Sequence, residues 1–161
     1  MNRYARRSQS AARQRGTAAI EFAFVFVVFF GLFYAIASYA LAFMLMQGFA
    51  YAANEGARAA VAVDRLAFED DAEYLSDGVT ARVREVVSET LSWLPAKALT
   101  KAVGAGGSEV KVEETGAGSV RVVIEYENYL ADPLIPVLTL PGLGPIPRLP
   151  DNLRGESVVA L

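Results

Sequence analysis

From Phe22 to Met46 the chain runs 25 residues without a charge, and the uncharged stretch continues through Gln47 and Asn54 as far as Glu55. A helix rises about 1.5 Å per residue, so the 25-residue run makes a rod of roughly 37 Å against a hydrocarbon core of about 30 Å. It is long enough to span a bilayer with some tilt. A cleavable secretory signal has an apolar core of only about 7 to 15 residues, which this run exceeds. Ala50-Tyr51-Ala52 does supply a small-x-small cleavage pattern just beyond the span, a minor alternative. The 161 residues hold one span, about 22–46, and one small domain.

Charge orients that span. Residues 1–16 carry five arginines (Arg3, Arg6, Arg7, Arg13, Arg15) and no acid, which leaves 10 basic and 18 acidic groups on the remaining 145 residues, a net of -8 within an overall -3. Arginines directly before an apolar run hold the N-terminus in the cytoplasm under the positive-inside rule, and this explains the basic tip more simply than nucleic-acid binding does. Residues beyond about 50 then lie across the membrane, in the periplasm if the membrane is a bacterial inner membrane. The chain has no cysteine and no histidine. Thiol and imidazole catalysis and the usual zinc sites are thereby excluded.

The helix is expected to continue past the bilayer. Residues 47–68, QGFAYAANEGARAAVAVDRLAF, are rich in alanine, the best helix former, and contain no proline. A helix over 17–68 would be roughly 78 Å long. Within it Gly48, Ala52, Gly56 and Ala60 recur every four residues and share one face, where small side chains admit a close neighbour. An alanine-rich helix also produces such stripes by chance, and spacing alone leaves open whether the face meets the chain's own distal domain or another subunit.

At the inner end of the span the sequence reads Arg15-Gly16-Thr17-Ala18-Ala19-Ile20-Glu21-Phe22. Glycine at position 16 suits an extended backbone that a peptidase can approach closely, with helix from Thr17 onward. An acidic side chain at the centre of a membrane helix costs about 2.5 to 3.5 kcal/mol, less near the interface, so Glu21 calls for a partner. Cleavage after Gly16 would create one. The new amine on Thr17, with an ordinary pKa of about 7.7 to 8.0, would be mostly cationic at neutral pH. One subunit's amine paired with a neighbour's Glu21 would favour a single axial stagger.

Gly16, Glu21 and Phe22, with the basic leader and the apolar helix, resemble the class III signal of type IV-like prepilins. The block RGTAAIEFAF, followed by Asn54-Glu55-Gly56-Ala57-Arg58-Ala59-Ala60, is similar more narrowly to TadE-like minor pilins of the tight-adherence (Tad/Flp) system. The resemblance covers residues 13–63. It implies a scissile bond between Gly16 and Thr17 cut by a prepilin peptidase, and a processing or assembly role for Glu21 beside Phe22. It further implies partners among other pilins, an inner-membrane assembly platform and the lipid bilayer, with no cofactor. Typical type IV pilins begin the mature chain with a methylated phenylalanine, whereas this one would begin with Thr17.

Beyond the helix, Glu69, Asp70, Asp71, Glu73 and Asp77 cluster without the alternating ligands and central glycine of a calcium loop, and read as a solvated linker or helix start. From about Ala72 to Leu94 the apolar residues Leu75, Val79, Val83, Val86, Val87, Leu91 and Leu94 fall near a 3.6 spacing, an amphipathic helix ended by Pro95 whose apolar face should cover a sheet. Residues 109–114 and 120–126 alternate around Gly116-Ala117-Gly118, a hairpin, and residues 156–161 suit a terminal strand beside it. Residues 132–150 contain six of the seven prolines, which forbids a regular helix and favours extended or turn structure, and Leu134, Ile135, Val137, Leu138, Leu140, Leu143 and Ile146 among them read as a packed or partner-binding loop.

The expected fold is α+β, a type IV pilin-like lollipop. A leader (1–16) precedes a long helix (17–68), which carries a periplasmic domain (69–161) with a small antiparallel sheet and a second amphipathic helix. The expected function is that of a structural assembly subunit. An uncleaved single-span periplasmic adaptor shares the topology but not the new amine. A membrane-anchored hydrolase finds no triad, phosphate loop or metal spacing to support it.

Overall fold

The structure is a computed structural model that describes residues 8–116, 118–140 and 144–161, with side chains from residue 17 onward except at 140. Arg3, Arg6 and Arg7 of the leader, Ala117 of the hairpin turn, and Pro141, Gly142 and Leu143 of the proline-rich stretch lie outside the described residues, as do the side chains of Arg13 and Arg15. The class is α+β, with one long apolar helix followed by further helices and a small antiparallel sheet. The chain divides into two compact units, Met1–Tyr39 and Ala40–Leu161.

Helix α1, Ser8–Val61, is 54 residues long. It differs at both ends from the helix read in the sequence. It begins before Gly16, so an extended backbone at that glycine is not found. The residues between Ser8 and Arg15 include alanine, glutamine and arginine, all good helix formers, and one glycine costs only about 1 kcal/mol relative to alanine. It ends at Val61 instead of Phe68, because Asp64 takes over the next turn. The Asp64 carboxylate accepts from the Leu66 backbone N–H at 2.9 Å and caps a short 3-10 turn, Arg65–Ala67.

Within the first unit the helix is apolar all round from Phe22 to Phe33. Phe22 stacks on Phe26 and Phe26 on Phe30, with ring centroids 6.0 Å apart in each pair. These rings and Ile20, Phe24, Val25 and Phe29 remain exposed to the surroundings of the chain. A helix with no polar face suits an apolar medium. Among the described residues Thr17–Val61 is the one helix long and apolar enough to cross a membrane.

The second unit holds the core. The short α2 (Asp71–Glu73) leads into a wider π turn (Tyr74–Thr80), then α3 (Ala81–Thr90) and, after Pro95, α4 (Ala96–Ala102). The expected single helix over 72–94 is therefore interrupted. Gly78 lies in the π turn, where an added Cβ would fall 2.7 Å from the Phe68 ring, so the missing side chain makes room for that ring. The acidic cluster builds this entry: the Asp70 carboxylate accepts from Glu73 N–H at 2.8 Å, Glu73 accepts from Glu69 N–H at 3.0 Å, and Asp71 pairs with Arg65.

Strands β1 (Lys111–Glu114), β2 (Ser119–Tyr126) and β5 (Leu153–Ala160) form an antiparallel sheet in the order β1-β2-β5, so the terminal strand lies beside the hairpin as expected and starts earlier, at Leu153. Val120, Val122, Ile124 and Tyr126 turn one face of β2 into the core with Leu153. The proline-rich stretch contains a second, two-stranded ladder of β3 (Leu138–Leu140) and β4 (Gly144–Ile146). Helix α4 was not expected from the sequence. It contacts β2, with Ala98 and Ala102 buried.

The chain leading out of β2 is tied down by polar contacts. Buried Tyr126 donates its hydroxyl to the Asp132 carbonyl at 2.7 Å, and burial pushes the phenol pKa up. Lys97 of α4 pairs with the Asp132 carboxylate at 2.5 Å. That hydrogen-bonded pair holds the Asp132 carboxyl below its ordinary range and raises the Lys97 ammonium.

Candidate functional site

Gly16, Thr17, Glu21 and Phe22 all lie on α1 within the first unit. Thr17 and Glu21 are four residues apart and share a face, one turn from each other. Glu21 is exposed, and Phe22 beside it is 67% exposed with its ring on Phe26. Among the described residues no cation pairs with Glu21.

Gly48, Ala52, Gly56 and Ala60 lie in the second unit. Gly48 faces the turn after α3, and Gly56 faces α3 and β2 of the same chain. A Cβ at Gly48 would fall 3.0 Å from Trp93 Cζ2 and 3.9 Å from Leu91 Cδ2. At Gly56 it would fall 3.0 Å from Val87 Cγ2, 3.1 Å from Val83 Cγ1 and 3.6 Å from Val122 Cγ1. Ala52, between them, and Ala60, one turn beyond Gly56, are fully buried. The apolar side of α3 thus meets α1 through Val83 and Val87, where a sheet was expected, and α1 at Gly56 in turn meets Val122 of β2. The neighbouring face of α1 carries Leu45, Phe49 and Ala53 into the same core.

Two contacts on this helix were not legible beforehand. Gly155 of β5 lies so close to α1 that a Cβ there would intrude on the Phe49 and Ala50 backbone. Two residues on, Ser157 donates its hydroxyl to the Asn54 side-chain oxygen at 2.8 Å. A glycine inside a strand signals close backbone approach, but only the pairing of Ile124 with Gly155 shows where it falls.

The model of the TadE-like protein family matches residues 16–58. This segment is TadE-like. The match begins at Gly16 and ends at Arg58, wholly inside α1, so the likeness belongs to the apolar helix and its small-residue face. No curated protein and no solved structure matches the chain.

Proposed function

We propose that the chain is a minor pilin or pseudopilin of a Tad/Flp-type pilus used in adhesion or secretion. In this reading it is stored in the bacterial inner membrane as a single span, cut after Gly16 by a prepilin peptidase, and assembled with other pilins at an inner-membrane platform. The supporting observation is the TadE-like match beginning at Gly16, on a helix whose only acid in its first apolar stretch is Glu21. The protein acts as a structural subunit, and the chemistry is done to it.

Hydrolysis of the Gly16–Thr17 amide leaves a carboxylate on the leader and an amine on Thr17. Peptidases bind extended backbone, and Gly16 sits in helix, so the turn around it must open first. Glycine lowers the cost of that opening by about 1 kcal/mol relative to alanine. The cut also moves the start of the helix. Before it, Glu21 lies well inside α1; after it, Glu21 lies one turn from a helix N-terminus, whose partial positive charge and free amine both favour a carboxylate. The leader's five arginines leave at the same step.

Gly16→Ala should leave only the longer precursor on a gel, and unchanged processing would overturn the cleavage reading. N-terminal sequencing of protein isolated from membranes should begin at Thr17. A start at Met1 would identify the chain as an uncleaved periplasmic adaptor instead.

A further inference from the structure

Trp93 is the one tryptophan of the chain and lies in the turn between α3 and α4. Its neighbours Leu91 and Leu94 are buried in the core and fix the turn on both sides, yet Trp93 itself is 49% exposed. Its ring edge rests on Gly48 of α1, where a Cβ would come within 3.0 Å. One helical turn to either side of Gly48 stand Met44, 47% exposed, and Tyr51, 61% exposed. Phe43 is exposed as well.

The order of chemistry along this outer surface is informative. Phe43 and Met44 are apolar, Tyr51 and Trp93 are aromatic with a polar tip, and the first charges follow at Glu55 and Arg58, an ion pair of 3.6 Å. Apolar, then amphipathic aromatic, then charged is the sequence of environments from acyl chains through headgroups to water, and tryptophan and tyrosine are enriched at that boundary. Gly48, on which Trp93 rests, follows Met46, the last residue of the expected span, by two positions. An exposed tryptophan anchored by buried leucines is otherwise an unfavourable surface for water.

We propose that Trp93 and Tyr51 form a lipid-facing collar, which seats the distal unit on the headgroup boundary of the outer leaflet while the protein is stored in the membrane. The occupant of this surface is the lipid itself. The proposal rests on the reading that α1 spans a bilayer with the distal unit outside. Extraction into a filament would then expose Trp93 or transfer it to a neighbouring subunit.

Because Trp93 is the only tryptophan, its fluorescence reports on this surface in the unaltered full chain. The protein is reconstituted into vesicles of phosphatidylethanolamine and phosphatidylglycerol at high lipid excess. Emission should shift to the blue relative to a water-exposed indole, and lose most of its intensity to lipids bearing a quencher next to the headgroup. A quencher at the chain end, and iodide in solution, should act less. Water-like emission quenched mainly by iodide overturns the proposal. So does a blue shift that ignores lipid quenchers and grows with protein density, since that surface then belongs to a protein partner. The spanning reading is checked separately with Phe29→Trp in a Trp93→Phe background. Strong quenching there by the chain-end quencher supports the span whatever Trp93 does, and its absence overturns the span and the collar together.

Discussion

Gly155 and Gly56 both bring a backbone close to a neighbour, but they differ in what a methyl group would strike. At Gly155 the obstacle is the α1 backbone at Phe49 and Ala50, which cannot move without lifting β5 from the helix. At Gly56 the obstacles are valine methyls at 3.0 Å and 3.1 Å, which yield by a few tenths of an ångström. Overpacking costs about 1–3 kcal/mol, whereas alanine in place of glycine gains about 1 kcal/mol in a helix. Gly155→Ala should therefore destabilise the protein by about 2–3 kcal/mol, towards the upper end of the overpacking range. Gly56→Ala, by the same reasoning, should stay within about 1 kcal/mol of the parent. Denaturant midpoints in detergent check the pair, and equal midpoints for the two variants would contradict this account. The stripe containing Gly56 is visible as a spacing of four. Gly155 carries no such signal, because its role depends on the register that sets it against a helix about a hundred residues earlier.

At the scale of elements, the hairpin was legible because alternation and turn glycines are local, and α3 because its apolar residues repeat near 3.6. The π turn was not, since it depends on the Phe68 ring beside Gly78. Helix α4 is only seven residues long and carries no strong periodicity, although Pro95 before an alanine- and lysine-rich run was an available sign. Its tie to the stretch after β2 is testable by pH. The Lys97 hydrogen bond lowers the Asp132 pKa, so the stability lent by the carboxylate is present above the ordinary carboxylate range and is lost as pH falls through the lowered value. On the basic side, stability is present below the ordinary lysine range and lost as pH rises through the raised Lys97 value. Asp132→Asn should flatten both limbs of a plot of melting temperature against pH, by a small amount because the pair is exposed. Superimposable profiles would mean that the pair does not couple to folding.

For the whole molecule, the proposed pilin role divides between the two units. The first presents an apolar helix surface over residues 22–33 with Glu21 directly before it, and the second closes a core around the distal part of α1. Because that core already buries Ala52, Ala57 and Ala60, the surfaces left for other subunits in the proposed role are the first unit and the outer faces of the second. Glu21→Ala should accordingly leave the distal core and the protein level unchanged while reducing pilus assembly in a complementation assay. Full piliation by that variant would remove the assembly role from the carboxylate.

A helix long and apolar enough to cross a bilayer, and the charge bias at its start, follow from the sequence alone, since each depends on composition along one continuous segment: no charge between Phe22 and Met46, five arginines before it and alanine after it. The TadE-like match falls within that same helix. Which surface the Gly48–Ala60 stripe meets, why Gly155 is a glycine, and where Trp93 lies on α1 were decided only by tertiary structure. Those contacts join segments far apart in the chain, and a periodic pattern specifies which face of a helix is small without specifying what will be packed against it.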